Sequence, residues 1–453
     1  MTMPSNSLQS VRTFVDAELG LYQNINPFTS PEVVNTEYSN FQDQPANLGT
    51  SIRLQLPYTP YVNAGIKPKF QALEQNYIDL TVDQAWHNAI GINNFELIYN
   101  LKPEEYMNKY GKAAMKVMGD KVGSIIAKNA NSSVPVQTVV DGELVATGDL
   151  HTESGPYLFY GSQNTAATVA INTDLQLKEA VTAHLNIGCS GSDICMIIPD
   201  MAADAILTSM LSQYAGRRND AITAPGNPWE LPDLMMASRR IKIYTSNLLP
   251  QHVAGACGND STGHTLTIQS LTVDADGGIS AIVARSSLTS QSGALKSGDL
   301  IEFADAGSLR PRYKTHMGDI VSSNKIQIRV TADCDTDGSG DATIPITPKL
   351  YVAPGIKQNV NVAIVAGMTM TVMPSHRCGL IISDRSLYGC MPKLPETDPF
   401  ESFVQTDPET NTSMRFYRGW IMDQGVKGCI RDLILGTLLV PKNSRRMLFP
   451  TTV

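Results

Sequence analysis

Asp333, Asp335, Asp337 and Gly338 in DCDTDGSGD have the spacing with which a calcium loop begins, alternating carboxylates converging on the ion and a glycine permitting the sharp turn. The twelfth position calls for glutamate and holds Ile344, so an acidic hairpin tip explains the run as well, and the expectation is a solvated turn without metal. GALKSGD, residues 293–299, has the glycine spacing of a phosphate loop. Asp299 stands where that loop needs the lysine that neutralises phosphate, so it would repel the ligand. The seven histidines are dispersed. His87, His252 and His376 could meet a cysteine or aspartate only in space, because nothing local positions them, and structural histidines are the simpler reading. Arg217 and Arg218 beside Asn219 and Asp220 could grip phosphate, but a solvated loop or a subunit contact explains them equally. Met235, Met236, Met368, Met370 and Met373 read as packing. No HExxH, GxSxG or GxGxxG after a strand occurs. No catalytic, cofactor or metal residue is therefore assigned.

Composition narrows the classes. The chain has 453 residues, 43 acidic against 35 basic, for a formal charge of −8. Such a length accommodates two or three structural units, and the acidic balance argues against tight, nonspecific nucleic-acid binding. The seven cysteines are scattered and form no CxxC pair, which signals neither a disulfide framework nor a zinc knuckle. No basic-then-apolar leader and no run approaching 18 apolar residues is found, so a soluble product without a membrane partner is expected.

The elements that must carry these residues are dominated by residues 103–129, PEEYMNKYGKAAMKVMGDKVGSIIAKN. Pro103 suits a first helical position, Glu104 and Glu105 the positive helix end, and Lys121 and Lys128 the negative one. Met107, Tyr110, Ala114, Val117, Met118, Val122, Ile125 and Ile126 recur at steps of three and four, which predicts one apolar stripe on a helix lying against a sheet. Gly111, Gly119 and Gly123 suggest close backbone approach or a bend. Before it, residues 1–45 are polar and read as an arm, and two alternating runs, TSIRLQLP from 50 and YIDLTVDQ from 77, read as legs of one hairpin. About twenty residues between them are too long for a tight turn and need a partner to hold them.

After the helix, residues 130–170 read as loose. Thr173 and Gln176 form a capping-box pattern before LQLKEAVTAHL, DICMIIP is a short buried strand, Asp200 caps MAADAILTSMLSQY, residues 216–234 are turn-rich, and RRIKIYTSNLLP is a strand. From Cys257 to Pro374 short alternating strands replace the helical period: HTLTI, GISAIVAR, DLIEF, KIQIRVTA, ATIPI, NVNVAIVA and MTMTVM. They predict a separate small β-barrel or sandwich. SMRFYRGWIMDQ and KGCIRDLILGTLLVPK then read as a closing hairpin of the first domain, which makes the barrel an insertion into an α+β host.

This order of elements resembles the major capsid proteins of tailed phages with the HK97-like fold, and more narrowly the P22-like coat proteins with an inserted I-domain. GTSIRLQLP, IDLTVDQAWHNAIGINNFEL, RIKIYTSNLLPQHVAG, GALKSGDLIEFADAG with IQIRVTADC, and FYRGWIMDQGVKGCIRDLILG carry the resemblance. It implies an N-terminal arm at 1–48, an E-loop hairpin at 49–84, a P-domain at 85–171 holding the spine helix 103–129, and a first A-domain segment at 172–255. The inserted barrel would take 256–374, and the A- and P-domain return 375–453. The function implied is a shell of hexamers and pentamers around double-stranded DNA held without sequence-specific binding. The subunit would be made in the host cytoplasm and be neither an enzyme nor a cofactor carrier. Its partners would be other copies of itself, a portal protein, a decoration protein, and a separate scaffolding protein, since the chain begins almost at once with the arm. Lys67, Lys69, Glu74, Arg217, Arg218, Asp276 and Asp337 are the candidate subunit contacts. Two other classes stay open: an enzyme with an inserted β domain, which requires scattered histidines and carboxylates to meet in a cleft, and a surface adhesion module.

Overall fold

A helix over Lys112–Asn129, preceded by a π-turn at Tyr110 and Gly111, buries Ala114, Met115, Met118, Val122, Ile125 and Ile126 on one face. The computed structural model describes residues 26–36, 51–55, 65–68, 76–93, 110–129, 135–140, 143–149, 157–159, 174–186, 193–213, 230–236, 239–260, 262–307, 309–314, 321–354, 358–395, 401–407, 412–421, 426–440 and 443–449. In chain order the first elements are β1 (Ser51–Gln55), β2 (Asn76–Asn93), α1 (Lys112–Asn129), β3 (Pro135–Val140), β4 (Glu143–Asp149), β5 (Tyr157–Phe159) and α2 (Asp174–Asn186). Next come β6 (Cys195–Pro199), α3 (Asp200–Gln213), β7 (Glu230–Met236), β8 (Arg239–Ser246), β9 (Gln251–His252) and the short α4 (Ala256–Asn259). The β-rich stretch contains β10 (Thr265–Val273), β11 (Ile279–Arg285), β12 (Leu300–Phe303), β13 (Arg312–Lys314), β14 (Val321–Lys325), β15 (Gln327–Val330), β16 (Asp341–Leu350) and β17 (Thr369–Val372). The chain closes with β18 (His376–Ile382), β19 (Leu387–Cys390), β20 (Glu401–Thr406), β21 (Ser413–Ile421), β22 (Val426–Leu439) and β23 (Ser444–Phe449). Helices and many strands are mixed, as the α+β reading expects.

The chain divides into two compact units. Met1–Arg53, Asp79–Ala130 and Arg385–Leu439 form the first; Leu54–Ile78, Asn131–Asp384 and Val440–Val453 form the second. In the first unit β20, β21, β22 and β2 lie side by side, with β19 on β22. From Val82↔Gly436 to Asn93↔Val426, β2 and β22 run antiparallel, so β2 continues nine residues past the Gln84 at which its sequence run was expected to end. The α1 stripe is also rotated from its expected position. Val117 is 62% exposed and Met115 fully buried, because the buried arc includes Gly119 and Gly123 and thereby turns Val117 outward. The Gly119 carbonyl accepts the Asn26 Nδ2 hydrogen bond at 2.9 Å, a close approach that a side chain would crowd. Residues 26–36 do not form a free arm. Asn26 caps a 3₁₀ turn over Pro27–Thr29 with a reciprocal capping box, Phe28, Val33 and Val34 are buried, and the Asn35 N–H donates to the Leu387 carbonyl at 2.7 Å. The signal was weak because three apolar side chains in a polar stretch suffice to dock so short a segment.

In the second unit the order is β5-β23-β18-β6-β8-β7, with β9 on β18. β6 and β8 are parallel and α3 lies between them in sequence, a βαβ connection. Leu177, Ala180 and Val181 of α2 and Ile206 of α3 pack with Met196, Ile198, Ile241, Ile243, Ile381 and Met447. Two stretches expected to be loop are strand. β3 and β4 pair antiparallel from Pro135↔Asp149 to Val140↔Glu143. β7 pairs with β8 through a register shift between Leu231 and Leu234; Pro232 is tolerated because it sits at that bulge on an edge strand.

Between β9 and β18 the chain builds a closed antiparallel barrel, β10-β11-β16-β15-β12-β17. Its core includes Leu266, Ile282, Ile301, Phe303, Ile326, Ile328, Val330, Ile344 and Met370, while Lys325, Gln327 and Arg329 on the alternate positions are half-buried, as one wet and one dry strand face require. NVNVAIVA is not a strand. Val360 and Ile364 are buried, yet Asn359 accepts from the Tyr351 N–H and donates to the Lys349 carbonyl, both at 2.8 Å, and Asn361 accepts from the Arg312 N–H at 2.8 Å. Asparagine side chains thus take the ladder's place, an alternative that short amides offer the backbone.

Candidate functional site

The barrel leaves and rejoins its host through one narrow root, and here the dispersed histidines meet a carboxylate. His252 lies on β9, paired directly with His376 on β18; their rings stand 5.3 Å apart. Asp299, at the end of the GALKSGD loop, is 1% exposed. Its Oδ1 accepts from His252 Nε2 at 2.7 Å, and its Oδ2 accepts from the Gly255 N–H at 3.1 Å and the Lys296 N–H at 2.8 Å. One carboxylate therefore ties the outgoing connector to the barrel wall. The returning connector joins through the Ala254 N–H to Ser375 Oγ bond at 3.0 Å and the Cys378 N–H to Pro250 carbonyl bond at 3.0 Å. Packing is tight enough to demand glycine: a Cβ on Gly255 would lie 2.5 Å from the Ala294 carbonyl, and one on Gly258 would lie 2.6 Å from that of Met373.

Chemically the cluster positions and does not react. Every approach to Asp299 is filled by a donor, and its side chain has no exposure, so no substrate proton can reach it. His376 donates from Nδ1 to the Pro374 carbonyl at 2.9 Å; burial first, then the Arg446 charge, hold it down at about 3. It is a neutral ring near pH 7. His184 is held well below its usual range by burial and then by Arg445, and its Nε2 meets Ser383 Oγ at 3.2 Å. Since Ser383 Oγ donates to the Asn443 carbonyl at 3.0 Å, the serine proton points away from the histidine. Burial pushes the Cys334 and Cys390 thiols up to about 11, the opposite of what a nucleophile needs.

The acidic run is exposed, as a solvated turn requires, and its carboxylates also accept backbone hydrogen bonds. Asp335 accepts the Gly293 N–H at 2.6 Å, Asp333 the Ser297 N–H at 2.8 Å, and Asp337 the Ser339 and Asp341 N–H groups at 2.8 Å each. Asp341 makes a two-pronged pair with Arg285 at 2.8 Å. The carboxylates diverge, and among the described residues no group of three or more His, Cys, Asp or Glu side chains is placed to hold a metal. GALKSGD is accordingly a nest of backbone donors whose anions come from the chain itself: Asp299, Asp333 and Asp335. Sequence reading paired neither stretch with the other, although a donor-rich glycine loop and an acidic run within one small domain were the available signal.

Of the candidate contact residues, Lys67 sits exposed in a bend beside Gly65, whose φ is +123°, and the fully exposed Ile66. Lys69, Glu74, Arg217 and Arg218 lie outside the described residues. Asp276 is exposed at the β10–β11 turn and accepts from the Gly278 N–H at 3.1 Å and the Tyr351 hydroxyl at 2.9 Å, with Lys349 Nζ at 3.6 Å. Asp337 is exposed and committed to its own turn. His87 is exposed on β2, in the first unit, and is not part of the root.

No family model matches the chain, and no curated protein does. Among solved structures it is similar to one from Mycobacterium phage Che8, with 9% identity, 93% of this chain and 90% of that one covered and a TM-score of 0.40. It is also similar to the capsid of Ralstonia phage GP4, with 7% identity, 94% and 89% covered and a TM-score of 0.40. A third is the capsid structure of the cyanophage P-SCSP1u, with 12% identity, 90% and 85% covered and a TM-score of 0.37.

Proposed function

We propose that this chain is the major capsid protein of a tailed bacteriophage, with an HK97-like fold and an inserted barrel of the P22-like coat proteins. The observation that carries the reading is the arrangement around β2. That strand has 18 residues, about 60 Å at 3.3 Å per residue, against a usual five or six. One end forms the β1–β2 hairpin with its long connection, the other is closed by β22 from far along the chain, and α1 follows in the same unit. Extended, laterally paired elements suit a tile, and the His252–Asp299 cluster joins the barrel to its host. In this reading residues 49–84 are the E-loop, α1 is the spine, the β6–β8 sheet with α2 and α3 is the A-domain, and 256–374 is the I-domain. Copies assemble into hexamers and pentamers through heterologous, ring-closing contacts, guided by a scaffolding protein, with a portal and decoration protein in the finished head around double-stranded DNA.

The test is size-exclusion chromatography and negative-stain imaging of the protein expressed alone and with the neighbouring viral genes. Shells or capsomer rings are expected. Monomers under every condition overturn the reading.

A further inference from the structure

The last turn of α2 holds two contacts side by side, one to the barrel and one to the place where the chain passes between its two units. Ala183 is fourth from the end of the helix, so its carbonyl has no intrahelical N–H to accept. Asn324 Nδ2, from β14, donates to it at 2.8 Å. That strand is tied to the barrel wall: Lys325 Nζ pairs with Glu302 at 3.1 Å, and the Gln327 side-chain amide donates to the same carboxylate at 2.9 Å. The barrel thus caps a helix of its host. The next residue, His184, is fully buried, and its Nε2–H donates to Ser383 Oγ at 3.2 Å, since the serine hydroxyl is spent on the Asn443 carbonyl. Its Nδ1 is buried with no hydrogen-bond partner among the described residues, a cost that a ring placed for its own satisfaction would not carry. The Asn443 carbonyl also accepts the Ser383 N–H at 2.9 Å. The chain leaves the second unit after Asp384 and re-enters it at Val440, so His184 holds the clasp between the outgoing and the returning segment. Ala183 and His184 share one helical turn, and neither can shift without the other.

We infer that the last turn of α2 is a joint that couples docking of the barrel, through Asn324, to closure of the Ser383–Asn443 clasp. A single neutral hydrogen bond shifts a local equilibrium only about 2- to 13-fold, so the Asn324 contact is a releasable latch, whereas Asp299 at the root is held by three donors. The test is hydrogen exchange of the full chain, read by mass spectrometry on peptides covering the last turn of α2, the clasp residues 383–384 and 443–444, and the barrel strands β11 and β16. Asn324→Ala should raise exchange about 2- to 13-fold at both the turn and the clasp, with β11 and β16 unchanged. Asn324→Asp sets a carboxylate against the negative end of the helix and should raise it further. In a Ser383→Ala background, which cuts the His184 tie and keeps the backbone bond, Asn324→Ala should still loosen the turn and no longer affect the clasp. Lys349→Ala, which breaks the ion pair to Asp274 at 2.7 Å elsewhere on the barrel, should leave turn and clasp at wild-type rates. A clasp that does not respond to Asn324→Ala, the same response with and without Ser383 Oγ, a matching response to Lys349→Ala, or a rise spread evenly through β11 and β16 overturns the inference.

Discussion

At the scale of single residues, burial of imidazoles makes the second unit sensitive to acid. Burial holds the folded His376 down at about 3, against an ordinary imidazole value of 6.5, and holds His184 well below that ordinary value too. The unfolded chain therefore binds more protons below pH 6.5, and stability is lost as pH falls from there toward the folded values. Each such proton contributes a slope of about 1.4 kcal/mol per pH unit. Chemical denaturation at several pH values should show the midpoint falling below pH 6.5, and His376→Gln should remove roughly half of that dependence; an unchanged profile would refute a buried neutral His376. Asp299 is the more costly residue to lose. Asp299→Ala strips one side-chain and two backbone donors of their acceptor, and charged hydrogen bonds are worth about 1.5–3 kcal/mol each, so a loss of at least about 3 kcal/mol is expected on a melt. His252→Ala should cost less, and a double-mutant cycle should give a positive coupling between the two.

The element that gains most from side-chain bonds to backbone is the pair of barrel loops, 290–299 and 333–341. Besides the aspartate contacts, Leu295 and Cys334 exchange N–H to carbonyl bonds at 3.0 and 2.9 Å, and the Gln291 N–H meets Thr336 Oγ1 at 2.9 Å. The aspartates are consumed by this clasp. Chelator should leave the melting temperature unchanged, because a calcium site at a hundredfold excess over its dissociation constant would add about 2.7 kcal/mol. Asp335→Ala should instead lower stability by about 0.5–1.5 kcal/mol with or without calcium, the net worth of one hydrogen bond. A calcium-dependent melting shift lost in that variant would reinstate the metal loop. Residues 256–374 hold a continuous core within a closed barrel, so expressed alone they should melt cooperatively and give a dispersed amide spectrum, and a collapsed spectrum would show dependence on the root contacts.

For the whole molecule, assembly should depend on the long connection between β1 and β2 more than on any single charge in it. Rim ion pairs are worth about 0–1 kcal/mol, so Lys67→Ala should assemble nearly normally, whereas replacing residues 58–76 by a short turn should leave a folded subunit that makes no shell. Normal shells from the shortened chain would remove the loop from the contact.

What the sequence determined by itself were features set by local periodicity and chemistry: α1, the helix–strand–helix order around DICMIIP, and the alternating barrel strands. Where a side chain competes with backbone pairing, periodicity misled. NVNVAIVA alternates like a strand, but Asn359 and Asn361 satisfy the neighbouring backbone themselves, and β3, β4 and β7 have little apolar alternation because edge and hairpin strands are held by register and turn residues. Only the tertiary structure decided the root of the barrel. His252, Asp299 and His376 are separated by 47 and 77 positions, and no local pattern says that two connectors and a barrel loop converge there. The same holds for GALKSGD, whose donors resemble a ligand site until the fold brings Asp333 and Asp335 onto them, because a hydrogen bond between distant segments leaves no trace in the spacing of either one.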